Sequence, residues 1–330
     1  MIIDVEHHLF IKDITKEEKS PSGKICERFW TEDGRLQIRI FEDATRVEKS
    51  LQFMEEAGID MAMLTTNPEL NLELCKKWNN FCAKVMKENP KRFVGFASIP
   101  PLGGKPALEE LERAVKDLGL KGVHIMTVSN EKYLDSKEMW PFYEKVSDLG
   151  IPIDVHISSA PPGLDVALRA PYALYYVVAR EFDMAAAVLR VCLGGVLEDF
   201  PDLVFIMNHF GGGVSSVIER VDAYMSYVGP GWPDFYFDKH LISKPWREYF
   251  DKLYFNMAGR EVGTDTAKCA LTNISPKKLM FGSDWPFNFD GNLEDLKGYV
   301  GDIRKLDLPK EDIDDMLGGN AARILGVDIW

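Results

Sequence analysis

The chain has 330 residues, 46% hydrophobic and 28% charged, the composition of a soluble globular protein that can bury a large core without disulfide staples. With 52 acidic against 39 basic residues, its net charge of −13 opposes a sequence-independent grip on nucleic acid and docking on anionic membranes. No apolar run reaches the ~18 residues of a membrane span. The opening MIIDVEHHLF has neither the basic n-region nor the long apolar h-region of a secretory signal. The cysteines Cys26, Cys75, Cys82, Cys192 and Cys269 are odd in number and form no C-x-x-C pair. The expectation is reduced thiols in a cytoplasmic protein, with neither a disulfide framework nor a cysteine zinc site.

Short apolar runs that read as buried parallel strands recur along the chain. They are Ile2–Glu6, Met61–Thr65, Phe93–Ile99, Gly122–Met126, Ile153–His156, Leu203–Asn208, Leu253–Met257 and Lys278–Gly282. Amphipathic helical stretches separate most of them, at Ala44–Ala57, Leu70–Glu88, Pro106–Leu118, Ser136–Leu149, Asp183–Leu197, Val214–Tyr227 and Glu261–Leu271. Asn292–Leu325 reads as a helical tail broken near Pro309. Eight strand–helix units over residues 1–330 predict an α/β fold in one domain, a (β/α)8 TIM barrel. An open doubly wound sheet is second, because no G-x-G-x-x-G follows the first strand. Leu9–Glu42 and Ile157–Arg180 read as long loops on the catalytic face of the barrel. The aromatic-rich connection Gly229–Trp246, continued through Lys244–Phe250, reads as an apolar subunit interface.

Four polar signatures fall at predicted strand ends, where a barrel gathers its catalytic residues. They are Glu6-His7-His8, Asp154-Val155-His156, Asn208-His209-Phe210 followed by Gly211–Gly213, and Gly282-Ser283-Asp284-Trp285-Pro286. Four of the six histidines lie in them. Alternation along a strand points Glu6 and His8 one way and His7 the other. Carboxylate and imidazole donors without thiolate suit Zn, Mn, Fe or Mg, and three or four of them leave positions open for water or substrate. Singly, each signature also has a structural reading. His124 reads as a packed histidine, His240 as a surface or interface residue, and the triple glycine as a tight turn before a phosphate cradle.

These same stretches, with Phe93–Pro100, Lys121–Val123 and Lys244–Phe250, resemble the amidohydrolase superfamily over nearly the whole chain. The resemblance is to the branch of γ-resorcylate, 5-carboxyvanillate and aminocarboxymuconate semialdehyde decarboxylases. The superfamily usually opens H-x-H; here Glu6 replaces the first histidine, as in the aromatic-acid decarboxylases of the branch. The resemblance implies Glu6, His8, His156 and Asp284 as metal ligands and His209 as a neighbouring acid/base, with Asp284 catalytic as well. Lys121 lies at the start of its strand, where it cannot serve as a carbamylated bridge, so one divalent ion is expected, Zn or Mn ahead of Mg or Fe, and no organic cofactor.

The expected activity is metal-dependent, non-oxidative decarboxylation of a hydroxylated aromatic or related unsaturated cyclic acid. The alternative at the same site is hydrolysis or hydration of a lactone or unsaturated carboxylate by activated water; a non-catalytic metal-binding subunit is third. Arg39 and Arg169 are candidates for a substrate anion, and Trp285 and Phe287 for stacking on a ring. The resemblance also implies a homodimer or larger homo-oligomer.

Overall fold

The computed structural model describes residues 1–13, 20, 24–32, 36–66, 71–157, 172–226, 241–288 and 293–328, with backbone only at 259–262. Strand β1 (Ile3–His8) leads to a hairpin, β2 (Cys26–Trp30) with β3 (Leu36–Ile40). Then come β4 (Met61–Thr65), β5 (Phe93–Ser98) and β6 (Gly122–Met126), and a two-residue hairpin, β7 (Val128–Ser129) with β8 (Lys132–Tyr133). Strands β9 (Ile153–His156), β10 (Phe205–Met207), β11 (Tyr254–Asn256) and β12 (Leu279–Met280) follow. Eight of these pair in parallel in the order β1-β4-β5-β6-β9-β10-β11-β12. Val5 N donates to Phe281 O at 3.0 Å and His8 N to Trp285 O at 2.7 Å, which joins the last strand to the first and makes the (β/α)8 barrel. All eight predicted strands are present, several with shorter paired segments.

Period-2 alternation sorts the strand residues into two apolar layers. Ile3, Val5, Met61, Met63, Val94, Phe96, Ile206 and Met280 fill the barrel interior. At the N-terminal ends of the strands, Ala321, Ala322 and Leu325 of the helix Asn320–Leu325 close that interior. The alternate residues, such as Ala62, Leu64, Ala97, Val123 and Ile125, pack under the outer helices. The interior is therefore solid at one end, and the polar residues of the strand ends collect at the other.

The helices depart from expectation in detail. The predicted Asp183–Leu197 is two helices, Arg180–Leu193 and Val196–Asp199, because Gly195 takes a left-handed conformation between them. The tail is Leu293–Ile303, Lys310–Asp314 with Pro309 at its N-cap, and Asn320–Leu325. Neither hairpin was expected from the sequence. Most of the aromatic connection, residues 227–240 including His240, lies outside the described residues. Its continuation is not an apolar surface: Trp246, Tyr249 and Phe250 are buried in the core. No helix among the described residues is long and apolar enough to cross a membrane.

Gly122 on β6 lies opposite Phe96 on β5, and a Cβ added there would collide with the Phe96 ring. Gly122→Ala is expected to destabilise the protein by about 1–3 kcal/mol by overpacking. Phe96→Leu in that background should recover part of the loss, as read by thermal unfolding of the single and double variants.

Candidate metal centre and active site

At the end of β1 the alternation breaks. Pairing with β4 slips by one residue between Asp4 and His7, a β-bulge. Asp4 and His7 consequently share the outer side, where His7 Nδ1 donates to Asp4 Oδ2 at 3.0 Å and Nε2 meets Ser50 Oγ at 2.5 Å. Asp4 also accepts from Glu6 N at 3.1 Å, from Ser283 N at 2.8 Å and from Ser283 Oγ at 2.5 Å. One buried carboxylate thus ties the end of β1 to the segment that carries Asp284. His7 stacks on Trp285, ring centroids 4.7 Å apart.

Glu6 and His8 face the barrel mouth, and there they meet His156 at the end of β9 and Asp284 after β12. One ligand atom from each of the four lies within 4.8 Å of the others, and all four residues are buried. His8 Nε2 is 3.1 Å from Asp284 Oδ1, and His156 Nε2 is 3.4 Å from Glu6 Oε1. His156 Nδ1 donates to Ile157 O at 3.1 Å, which leaves the Nε2 lone pair available to a cation. Asn208 Nδ2 donates to Glu6 Oε1 and Asn288 Nδ2 to Asp284 Oδ2, each at 3.0 Å. Glu6 Oε2, His8 Nε2 and Asp284 Oδ1 are buried without a hydrogen-bond partner. Burial drives the His8 imidazole down to about 3 and the His156 imidazole well below the usual histidine range. Both rings are then neutral near pH 7, the form a metal requires. Burial pushes the Asp284 carboxyl up to about 6. Two carboxylates, two neutral imidazoles and orphaned atoms converging on one point fit a divalent ion.

His209 stands beside this set, its Nε2 3.3 Å from Glu6 Oε1. It opens a run of left-handed residues, with φ of 53° at His209, 52° at Phe210, 65° at Gly211, 64° at Gly212 and 70° at Gly213. Side-chain-bearing residues rarely hold that conformation, and the three glycines supply most of the turn at no Cβ cost. The triple glycine is a turn. Asn256 Oδ1 accepts from His209 N at 2.9 Å and pins its start. His209 Nδ1 is 2.9 Å from Glu181 Oε1. Burial disfavours a charged His209 ring, but the Glu181 and Glu6 carboxylates outweigh it and hold the ring well above the usual histidine range. Glu181 was not singled out in the sequence, where an acid in a first helical turn looks ordinary.

The site opens into a cavity of about 750 Å³. His8, His156, His209, Asp284, Arg180 and Glu181 line its polar part, and Met126, Ile157, Tyr176 and Phe287 its apolar part. Arg28, Leu36, Ile38 and Ile40 of the hairpin form a further wall. Two substrate-contact expectations need correction. Arg39 points to the other face of β3, pairs with Glu27 at 2.9 Å and lies over Phe29, so the described cavity lining takes Arg28 and Arg180 instead. Of the two candidate rings, Trp285 is fully buried against His7, and Phe287 faces the cavity. Arg169 lies outside the described residues. His124 is a packed histidine, hydrogen-bonded through Nδ1 to the buried Asp154. None of the five cysteines is in a disulfide among the described residues, and all but Cys269 are buried.

This barrel and its mouth match a known family. The family model described as amidohydrolase matches residues 3–327, and the chain belongs to that family. The chain is 26% identical over 327 residues to the 2-amino-3-carboxymuconate-6-semialdehyde decarboxylase of Dictyostelium discoideum, covering 99% of this chain and 85% of that protein. It is 26% identical over 302 residues to a γ-resorcylate decarboxylase of Polaromonas sp., covering 86% and 88%. Its fold matches the crystal structure of a dihydroxybenzoic acid decarboxylase from Polaromonas sp. JS666, with a TM-score of 0.78 at 23% identity over 98% of this chain and 96% of that one. That structure holds manganese and the inhibitor 2-nitroresorcinol. The relatives group the chain with the carbon–carbon lyases, the carboxy-lyases, of the amidohydrolase superfamily.

Elemental analysis should find about one divalent ion per chain, and Glu6→Gln or His8→Ala should abolish binding, because each removes one of only four candidate ligand groups. His7→Ala should keep the metal and instead lower thermal stability by about 1–3 kcal/mol, since it takes one of four hydrogen-bond donors from the buried Asp4 carboxylate and leaves Ser50 without its ring partner.

Proposed function

We propose that this chain is a metal-dependent, non-oxidative decarboxylase of a hydroxylated aromatic or related unsaturated cyclic carboxylic acid. The observation that carries the reading is the convergence of Glu6, His8, His156 and Asp284 on one point at the floor of the cavity. The activities named for the two curated relatives support it. Glu6, His8, His156 and Asp284 would hold the ion, which supplies Lewis acidity towards the substrate carboxylate and an adjacent oxygen.

The remaining steps belong to the chain's own groups. The cavity cations Arg28 and Arg180 favour an anionic substrate. Ile38, Tyr176 and Phe287 offer apolar surface to a planar ring and shield the reacting carbon from water. Asp284, whose unliganded carboxyl burial has raised to about 6, delivers a proton to the carboxyl-bearing carbon. The C–C bond then breaks, carbon dioxide leaves and its bonding pair restores the ring. His209, beside Glu6 and facing the cavity, replenishes the proton. The hydrolase or hydratase alternative would use Asp284 or His209 as a base towards water; the relatives' names do not favour it. A homo-oligomer goes with the decarboxylase reading, and light scattering at micromolar concentration should show no monomer.

Turnover of a hydroxybenzoate panel in deuterated, oxygen-18 water tests the chemistry. Deuterium at the carbon that lost its carboxyl, with release of carbon dioxide, is the expected outcome, and chelator should stop it. Solvent oxygen in a new carboxylate or alcohol, with no gas released, would sink the proposal.

A further inference from the structure

The turn His209–Gly213 and the start of the helix Arg180–Leu193 are packed together more closely than ordinary side chains permit. A Cβ at Gly212 would collide with the backbone carbonyl oxygen of Glu181. At Gly211 a Cβ would lie 3.1 Å from Val188 of the same helix and 2.8 Å from Phe255. The glycines therefore serve two ends: they permit the left-handed run, and they let the first turn of this helix reach the histidine. The Glu181 carboxylate arrives 2.9 Å from His209 Nδ1. Carboxylate oxygens only accept, so Nδ1 carries a proton and donates it. The opposite nitrogen, Nε2, is buried with no hydrogen-bond partner and lies 3.3 Å from Glu6 Oε1. Both Glu181 and His209 line the cavity.

We propose that Glu181 is the positioning residue for His209, fixing the ring with its proton at Nδ1 and its Nε2 turned towards Glu6 and the cavity, so that Nε2 is the atom that exchanges a proton during turnover. The partner comes from the helix that precedes β10 while the histidine lies in the turn after β10, and so the orientation depends on how closely that helix seats on Gly211 and Gly212. The catalytic half of this inference rests on the decarboxylase reading; the orientation of the ring does not.

The test uses zinc-loaded protein labelled with ¹⁵N-histidine, with the His209 signals assigned by their loss in His209→Gln. The wild type should show a slowly exchanging Nδ1–H proton at His209. Glu181→Gln, whose amide oxygen still accepts, should keep it. Glu181→Met, of similar length but without an oxygen, should lose it while zinc content and melting temperature stay as in wild type. Glu181→Ala provides a second loss variant. On 2,6-dihydroxybenzoate, or the member of a hydroxybenzoate panel that turns over, Glu181→Met should lower kcat by about 10–100-fold, as is usual when a histidine's orienting partner is removed, with KM little changed. Glu181→Gln should retain most of the rate. An Nδ1–H signal that persists unchanged in both loss variants overturns the proposal, and so does a kcat that survives the loss of that signal. If no acid is decarboxylated even by wild type, the decarboxylase reading fails alone, and the resonance still decides whether Glu181 holds the ring.

Discussion

Glu6 and Asp284 are carboxylates removed from water at the mouth of an apolar barrel. Stripping an ion of its hydration costs several kcal/mol even after relaxation; His209 beside Glu6 offsets part of it, but His8 and His156 do not. Burial keeps His8 and His156 neutral, so they offer lone pairs rather than charge. Asn208 and Asn288 each satisfy one carboxylate oxygen, and the other oxygen of each acid is left over. A cation placed among these atoms settles both deficits together. The rest of the architecture serves to bring acids from opposite ends of the chain to that one place.

Asp4 is central to that service. It holds the amide of Glu6, the amide and hydroxyl of Ser283 and the ring of His7. The seam between β1 and β12, where the barrel closes, is thereby also the seam between the two segments that carry Glu6, His8 and Asp284. Closing the barrel brings these candidate ligands together. The solid interior below, plugged by the helix Asn320–Leu325, leaves the strand ends at the mouth as the place where polar groups gather.

Much of this was legible in the sequence because parallel strands buried on both faces are short apolar runs, and the candidate ligands sit where those runs end. Glu6, His8, His156, His209 and Asp284 could be singled out on that basis together with the family resemblance. The bulge in β1 was not legible, since no residue type marks it, and alternation alone would have set Asp4 beside Glu6 rather than beside His7. Arg39 was misplaced for a related reason. Once Leu36–Ile40 is seen as a strand, the period of two turns Arg39 away from the cavity and Ile38 and Ile40 towards it. Trp285 could pack above or below the rim, and only the position of His7 decides for below. Glu181 was invisible because its partner lies 28 residues further along the chain.

The hairpin Cys26–Ile40 supplies a wall of the cavity and none of the candidate ligands. Its side-chain bonds to the loop after β12 include Cys26 Sγ to Pro286 O and Arg28 Nη2 to Phe287 O. Both end on backbone carbonyls, which every residue possesses. The wall is therefore a replaceable part. Its inward residues can be rewritten, or the whole hairpin exchanged for one of another length, while the barrel's acids and imidazoles stay where closure puts them. On the proposed function, this hairpin part of the cavity wall and the four converging candidate ligands are thus inherited on separate pieces of chain, and a lineage or an engineer can retune the first without rewriting the second.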